Sequence, residues 1–172
     1  MGYAVLPRSP WLTFLARQFG HNDQKPAANI SLAQYSANLG EFVDEVRTAG
    51  ATPILVTPLT RRAFNFSVDP PRIIESLADQ RNATIAVAKS LQSRWIDLNK
   101  ASEDYCNAIG PAASWVYNLN DTANDTTHLN DWGSVVFGRI VSDLLVDKYG
   151  DIAYWTKPNR TLTWEVEHGI PA

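Results

Sequence analysis

Short apolar segments alternate with longer segments of helical periodicity, and this alternation limits the possible folds more than any other feature of the chain. The apolar segments are 11–19, 52–57 and 95–98. Between them, 32–46 and 74–91 repeat apolar residues at the spacing of one helix face. The order strand, helix, strand, helix, strand predicts an α/β sandwich with a parallel sheet and right-handed crossovers.

The local signals give approximate limits for each element. Segment 11–19 reads as a buried strand that stops at Gly20, and the first helix has Ser31 as a plausible N-cap and Gly50 just past its end. We expect a further helix at 101–109, a loop at 110–127 and a last helix from Asp131 to about Tyr149. The tail at 151–172 shows no convincing period. We find no interdomain linker, so 1–172 is predicted to be one domain.

Composition argues against several classes of partner. The net charge is −3, and the 15 basic residues are scattered among 18 acidic ones, which disfavours nucleic acid. No apolar run approaches the roughly 20 residues that a membrane-spanning helix needs. Cys106 is the single cysteine, so neither an internal disulfide nor a cysteine metal cluster is expected. We predict no cofactor.

Potential N-glycosylation acceptors are more frequent than chance. Six of the twelve asparagines begin an Asn-x-Ser/Thr triplet, where composition predicts about 1.6. The excess favours a secretory origin, although a polar, loop-rich chain can accumulate such triplets harmlessly. The apolar run at 11–16 is too short for a signal peptide, so none is predicted in this chain. The acceptors are Asn29, Asn65, Asn82, Asn120, Asn124 and Asn159.

Two polar clusters lie where a parallel sheet presents its functional loops. They are Gly20-His21-Asn22-Asp23, after the first strand, and Asp125-Thr126-Thr127-His128, before the last helix. His128 could act as a general base while Asp125 holds its other ring nitrogen. The side-chain amide of Asn22 could donate to a developing oxyanion. Taken singly, each cluster also fits an ordinary turn or capping arrangement.

Four segments carry a resemblance to a known family. Segments 19–25 (FGHNDQK), 56–62 (VTPLTRR), 96–99 (IDLN) and 126–130 (TTHLN) resemble the SGNH, or GDSL-type, hydrolases in order and spacing. The sequences of these segments most resemble those of the rhamnogalacturonan acetylesterase branch. The match runs from about 18 to 150, and 1–13 is an atypical start.

The resemblance implies a fold, an activity and residue roles. It implies a flavodoxin-like three-layer sandwich with five parallel strands, and metal-free removal of acetyl groups from pectic polysaccharide. In that family the residue matching His128 activates the serine, the one matching Asp125 supports the histidine, and the one matching Asn22 helps form the oxyanion hole. Gly20 and Asp23 match positions that organise the loop. Acetylated polysaccharide or oligosaccharide is the implied partner.

The chain departs from the family pattern at the nucleophile. The family places its serine in a Gly-Asp-Ser block ahead of the segment matching Gly20, but only 19 residues precede Gly20 here and none forms that block. Ser9 is followed by Pro10 and has no glycine turn, so we assign no nucleophile. We expect a chain shortened at its N-terminus, with an incomplete sheet, that is inactive by itself. The uncovered edge of the strand ending at Phe19 would favour self-association.

Two other functions remain open from the sequence. A metal-dependent hydrolase would have four possible ligands for zinc or manganese, namely His21, Asp23, Asp125 and His128. The family motifs explain the same residues without metal. A non-catalytic protein could instead bind carbohydrate through aromatic faces and guanidinium groups. The alternative is that the tryptophans fill the core and the arginines are solvated. The residues considered for sugar binding are Trp115, Tyr117, Trp132 and the pair Arg61-Arg62.

Overall fold

The computed structural model describes residues 14–119 and 124–172. Short 3-10 helices lie at Pro26–Ala28 and Gly150–Trp155. The strands are β1 (Phe14–Gln18), β2 (Thr52–Val56), β3 (Phe64–Asn65), β4 (Arg72–Ile73) and β5 (Arg94–Ile96). The α-helices are α1 (Leu32–Thr48), α2 (Ala78–Ser90), α3 (Leu98–Trp115), α4 (Asp131–Lys148) and α5 (Arg160–Glu167).

The main sheet has the strand order β1, β2, β5. β1 and β2 are parallel, with Phe14 opposite Thr52 and Gln18 opposite Val56. β2 lies between the other two strands and is buried from Pro53 to the strand end, as expected for a continuous apolar run. The α/β class with a parallel sheet is therefore confirmed.

The prediction that the first strand is buried was wrong. β1 lies at the edge of the sheet, and its last three residues, Ala16, Arg17 and Gln18, are exposed. The edge position agrees with the uncovered edge expected for a shortened chain, and a strand there has a neighbour on one side only. The apolar run by itself does not reveal this exposure. The part of the prediction at 11–13 lies outside the described residues.

The described residues divide into two compact units, of which the first contains 14–57 together with 79–95. Its core packs Tyr35, Leu39 and Val43 of α1 against Leu55 of β2. The Ser31 side chain accepts a hydrogen bond from the Gln34 N–H at 3.1 Å, so the predicted start of α1 is confirmed.

The second unit contains 58–78, 96–119 and 124–172. An aromatic cluster joins α3 to α4: the Tyr117 ring meets the Phe137 ring edge to face at 5.7 Å, and the Tyr105 ring is 6.3 Å from each. The two tyrosine hydroxyls are 2.9 Å apart, so each buried hydroxyl has a partner. The prediction of one domain over 1–172 stays a prediction.

The predicted helix at 101–109 began three residues too late, but its end agrees with the helical segment that stops before Gly110. The Asp97 side chain caps α3 at its start by accepting from the Lys100 N–H at 3.3 Å. Gly110 interrupts the helix with φ of 78°, but the chain turns helical again at Pro111 and continues to Trp115. Proline is well tolerated at the first position of a helix, where its missing N–H needs no acceptor. The predicted loop at 110–127 was therefore wrong at 111–115.

The β3–β4 pair and two helices of the tail were not predicted. β3 and β4 form an antiparallel pair whose two-residue strands are too short to show a period. Gly150–Trp155 and α5 lie in the tail, and α5 buries one residue, Leu162. The Asn159 side chain caps α5 by accepting from the Leu162 N–H at 3.2 Å. No helix within 14–119 and 124–172 is long and apolar enough to cross a membrane.

Two glycines of α4 give a matched stability test. A Cβ at Gly133 would lie 2.5 Å from the Tyr117 carbonyl oxygen, whereas a Cβ at the exposed Gly138 meets no atom within 4 Å. We expect Gly133→Ala to lower the free energy of unfolding by about 1–3 kcal/mol through overpacking. Gly138→Ala should raise it by roughly 0.5–1 kcal/mol through helix propensity. Urea denaturation measures both, and an equal effect of the two substitutions would contradict this packing.

Candidate active site

The loop that carries Asp125 and His128 is closed at its base by main-chain hydrogen bonds. Asn118 and Leu129 form an isolated antiparallel bridge. On either side of it, the Leu119 N–H donates to the His128 carbonyl at 3.1 Å and the Asn130 N–H donates to the Tyr117 carbonyl at 3.0 Å. The end of α3 and the start of α4 therefore hold the two ends of the loop together.

Asn130 makes the transition from this loop to α4. Its side-chain oxygen accepts from the Gly133 N–H at 2.7 Å and caps the helix. Its side-chain nitrogen donates to the Val116 carbonyl at 2.7 Å. The helix start is thus fixed directly after the histidine-bearing turn.

Asp125 and His128 form a hydrogen-bonded pair. The Asp125 Oδ2 atom lies 2.8 Å from His128 Nδ1. The other carboxylate oxygen accepts from the Thr127 N–H at 2.8 Å and the His128 N–H at 3.0 Å. These two N–H donors, together with the ring, lower the pKa of Asp125 to about 2. The carboxylate therefore stays ionised, and it orients the imidazole so that Nε2 is the ring atom left for proton transfer.

The two side chains differ in their exposure to solvent. The Asp125 side chain is 14% exposed, while the His128 side chain is 69% exposed. A shielded carboxylate beside an accessible imidazole is the arrangement that a general base needs. The geometry shows the predicted contact, and the catalytic roles of both residues stay predictions.

Arg62 supports the loop from the core. Its side chain is buried, with Nη2 donating to the His128 carbonyl at 2.9 Å and Nε donating to Asn118 Oδ1 at 2.5 Å. Its main-chain N–H donates to the Thr126 carbonyl at 2.9 Å. Burial lowers the pKa of Arg62 to about 10. The expectation of a solvated side chain was wrong for Arg62. Its part in sugar binding stays a prediction, because Arg62 also borders a cavity of about 440 Å³.

Arg61 points to a different set of partners. Its Nε donates to Thr127 Oγ1 at 3.2 Å and its Nη1 donates to Ser76 Oγ at 2.9 Å. Both arginines of the pair thus contact the histidine-bearing loop. The sequence signal was the Arg-Arg dipeptide after β2, but its partners are distant in the chain and could not be inferred from spacing.

The loop at Gly20–Asp23 lies in the first unit and is a tight turn. Gly20 has φ of 123°, which favours glycine, and its N–H donates to Asp23 Oδ2 at 3.0 Å. This is the contact that a loop-organising aspartate would make. Asn22 is exposed, and its main-chain carbonyl accepts from the Lys25 N–H at 3.1 Å. The oxyanion role of Asn22 stays a prediction, because Asn22 and His128 belong to different units.

The aromatic residues considered for carbohydrate binding fall into different environments. Tyr117 is buried in the core, and Trp132 Nε1 donates to the Ala172 carbonyl at 3.0 Å. Trp115 is 43% exposed and borders a cavity of about 440 Å³ that is lined mainly by carbon atoms. The wall of this cavity includes Phe66, which is 72% exposed, and Thr126 of the histidine-bearing loop.

The side chains that could bind a metal ion do not form a cluster in the part of the chain that the structure describes. Within 14–119 and 124–172, no group of three or more His, Cys, Asp or Glu side chains could hold a metal ion. Cys106 is a buried thiol, and burial raises its pKa to about 11.

Two curated proteins of Bacillus subtilis (strain 168) are similar to the chain in sequence. Rhamnogalacturonan acetylesterase RhgT is 32% identical over 140 residues, which is 76% of this chain and 59% of RhgT. Uncharacterized esterase YxiM is 30% identical over 125 residues, which is 72% of this chain and 31% of YxiM. The chain thus spans less than two thirds of the length of both relatives. No protein-family model matches it.

Solved structures agree with these sequence similarities. The crystal structure of YXIM from Bacillus subtilis has a TM-score of 0.69 at 26% identity, covering 78% of this chain and 37% of that one. A lipase/acylhydrolase from Enterococcus faecalis shares the fold, with a TM-score of 0.52 at 21% identity over 84% of this chain and 63% of that one. Fold and relatives define the class as the α/β esterases. Within it, the chain belongs to the SGNH, or GDSL-type, hydrolase family.

The low pKa of Asp125 predicts a pH dependence of stability. Its ordinary value is about 3.9, so a folded-state pKa of about 2 adds stability above about pH 4 that is lost as the pH falls toward 2. We expect Asp125→Ala to be less stable than the wild type at pH 6, and the difference to shrink between about pH 4 and 2. Thermal unfolding of both proteins over that range measures it. A constant difference at every pH would show that the ionised carboxylate does not stabilise the loop.

Proposed function

We propose that this chain is the histidine-bearing part of an SGNH esterase that removes acetyl groups from carbohydrate, with acetylated rhamnogalacturonan as its substrate. The observation that carries the proposal is the hydrogen bond between Asp125 and His128, with the carboxylate shielded and the imidazole accessible. The similarity to RhgT, named a rhamnogalacturonan acetylesterase, supports the substrate class.

The chemistry assigns one step to each side chain. His128 Nε2 would take the proton of an attacking serine hydroxyl and later return it to the leaving alcohol. Asp125 would hold the imidazole in the required tautomer and stabilise its protonated form. The Asn22 amide would donate to the oxyanion of the tetrahedral intermediate. The 172 residues contain no Gly-Asp-Ser, so we propose that this chain by itself binds the substrate without cleaving it.

The cavity beside Thr126 supports a carbohydrate ligand. Its volume of about 440 Å³ lies in the range of small-molecule sites. Trp115 and Phe66 offer exposed aromatic faces, which suit the apolar C–H faces of sugar rings. Thr126 lies between the two residues of the Asp–His pair, so a sugar there would lie next to the loop that carries the chemistry.

Acetate release tests the proposal that the chain is inactive. The 172-residue protein, incubated with acetylated rhamnogalacturonan, should release no acetate above the buffer rate. Calorimetry with acetylated oligosaccharides of the same polymer should still detect binding. Rapid acetate release would show that the inactivity proposal is wrong, and release that disappears on chelation would favour the metal-dependent alternative.

Substitution of the cavity aromatics tests where the sugar binds. Trp115→Ala should weaken oligosaccharide binding by about tenfold or more, because it removes one stacking face. Trp155→Ala is the matched control, since this tryptophan is 66% exposed but does not line the cavity. Equal affinities of the Trp115 variant and the wild type would exclude this cavity as the carbohydrate site.

The transcript upstream of Met1 offers a test of the Asp–His pair. If it encodes an in-frame Gly-Asp-Ser segment, the longer protein should release acetate. His128→Ala in that protein should then lower kcat by several orders of magnitude, as loss of a triad member does in serine hydrolases. If the longer protein kept its activity after His128→Ala, the imidazole would have no part in the mechanism.

Secretion is proposed from the acceptor triplets. The acceptor asparagines at 29, 65, 82, 124 and 159 are all exposed, as glycan attachment requires. Asn124 directly precedes Asp125, so a glycan there would crowd the pair, and we propose that this acceptor stays empty. Peptide mapping of the native protein identifies the occupied positions.

Self-association is proposed for the sheet edge formed by β1. Its exposed C-terminal half leaves main-chain groups available for pairing with a second copy, although Arg17 on the edge would oppose close pairing of flat strands. Light scattering over a concentration series would detect it, and a monomer at every concentration would rule it out.

A further inference from the structure

Arg62 is a buried cation whose hydrogen bonds converge on the histidine-bearing loop. The residue is 2% exposed. Its guanidinium donates to Asn118 Oδ1 at 2.5 Å, to the His128 carbonyl at 2.9 Å and to the Thr60 carbonyl at 3.3 Å, and lies over the Phe137 ring at 5.7 Å. Each of the three guanidinium nitrogens therefore has an acceptor.

Two of the contacts of Arg62 belong to the turn that contains the Asp–His pair. The side chain reaches the carbonyl of His128, and the main-chain N–H reaches the carbonyl of Thr126. These carbonyls flank Thr127, whose N–H donates to Asp125 Oδ1. Arg62 therefore binds the carbonyl groups of the same backbone segment whose N–H groups donate to the Asp125 carboxylate.

The same residue also connects the turn to the loop base. Asn118 forms the bridge with Leu129, and the His128 carbonyl accepts from the Leu119 N–H as well as from Arg62. The guanidinium thus contacts both strands of the bridge. A shift of Arg62 would break its hydrogen bonds to the His128 carbonyl and to Asn118 at the same time.

We propose that Arg62 is a positioning residue that sets the geometry of the Asp125–His128 pair through the main-chain carbonyls of Thr126 and His128. The link between Arg62 and catalysis rests on the proposed function. The effect of Arg62 on the geometry of the pair does not, because it can be measured without substrate. It adds a buried residue to the site formed by the Asp–His pair.

An arginine is required here for a geometric reason. The planar guanidinium offers donors in fixed directions, and at this position they meet acceptors from three different residues. A lysine would keep the positive charge near Asp125 but carries a single nitrogen, which cannot occupy all three directions. Arg62→Lys therefore separates the geometry from the charge.

The test compares Arg62→Lys with Arg139→Lys. Arg139 is also buried, but it donates to the Lys157 carbonyl at 2.7 Å and pairs with Asp143 at 2.7 Å, neither of which is in the loop. NMR water exchange of the main-chain amides of Thr127 and His128 reports whether their bonds to Asp125 persist. We expect exchange at these amides to accelerate at least about tenfold in Arg62→Lys, relative to the amides of α4.

The control removes the effect of lower global stability. In Arg139→Lys, exchange at Thr127 and His128 should change no more than exchange in α4. The titration of Asp125 gives a second readout: in Arg62→Lys its pKa should rise from about 2 toward the ordinary value, because the N–H donors are no longer aimed at it. Unchanged amide exchange and an unchanged Asp125 pKa in folded Arg62→Lys would overturn the proposal.

A measurement on the wild-type chain covers the case in which Arg62→Lys fails to fold. A through-hydrogen-bond NMR coupling should connect the Arg62 guanidinium nitrogen with the His128 carbonyl carbon. Its absence, with a fast-exchanging guanidinium, would overturn the proposal without any variant. Neither measurement depends on acetate release. The role of Arg62 could therefore be tested even if the esterase proposal failed.

Discussion

A buried positive charge must find acceptors, and in the second unit this requirement joins the core to the histidine-bearing loop. Arg62 cannot be solvated at its position, so its donors take carbonyl and amide oxygens of the surrounding chain. The price of burying the charge is thereby offset by bonds that also fix the loop. The Phe137 ring lies below the guanidinium and belongs to the aromatic cluster of α3 and α4. The order of the loop therefore depends on the packing of the core.

The electrostatics of the pair follow from this backbone arrangement. The carboxylate of Asp125 accepts two N–H groups of its own turn before it contacts the ring of His128. Those dipoles keep it charged over the whole range in which a histidine acts as a base. An orienting carboxylate that stays ionised is useful to an imidazole, since it stabilises the protonated ring. The local turn thus holds an ionised carboxylate against the imidazole ring.

The family assignment and the proposed activity rest on different kinds of observation. Similarity to RhgT and YxiM, together with the shared α/β fold, shows the family. The substrate and the inactivity of this chain are proposals, because the chain spans 59% of RhgT and 31% of YxiM. The structure adds what similarity does not carry, namely which side chains hold the Asp–His turn and where an aromatic cavity adjoins it.

The sequence by itself determined the α/β class, the position of α1 and the pairing of Asp125 with His128, because each depends on short-range signals: apolar periodicity, a serine cap and a three-residue spacing. It also provided the resemblance to the SGNH family. Only the tertiary structure decided that Ala16, Arg17 and Gln18 of β1 are exposed and that a helical segment follows Gly110. The same holds for Arg62, whose acceptor Asn118 is 56 positions away. Burial and long-range hydrogen bonds are properties of the packed chain, and no local pattern in the sequence encodes them.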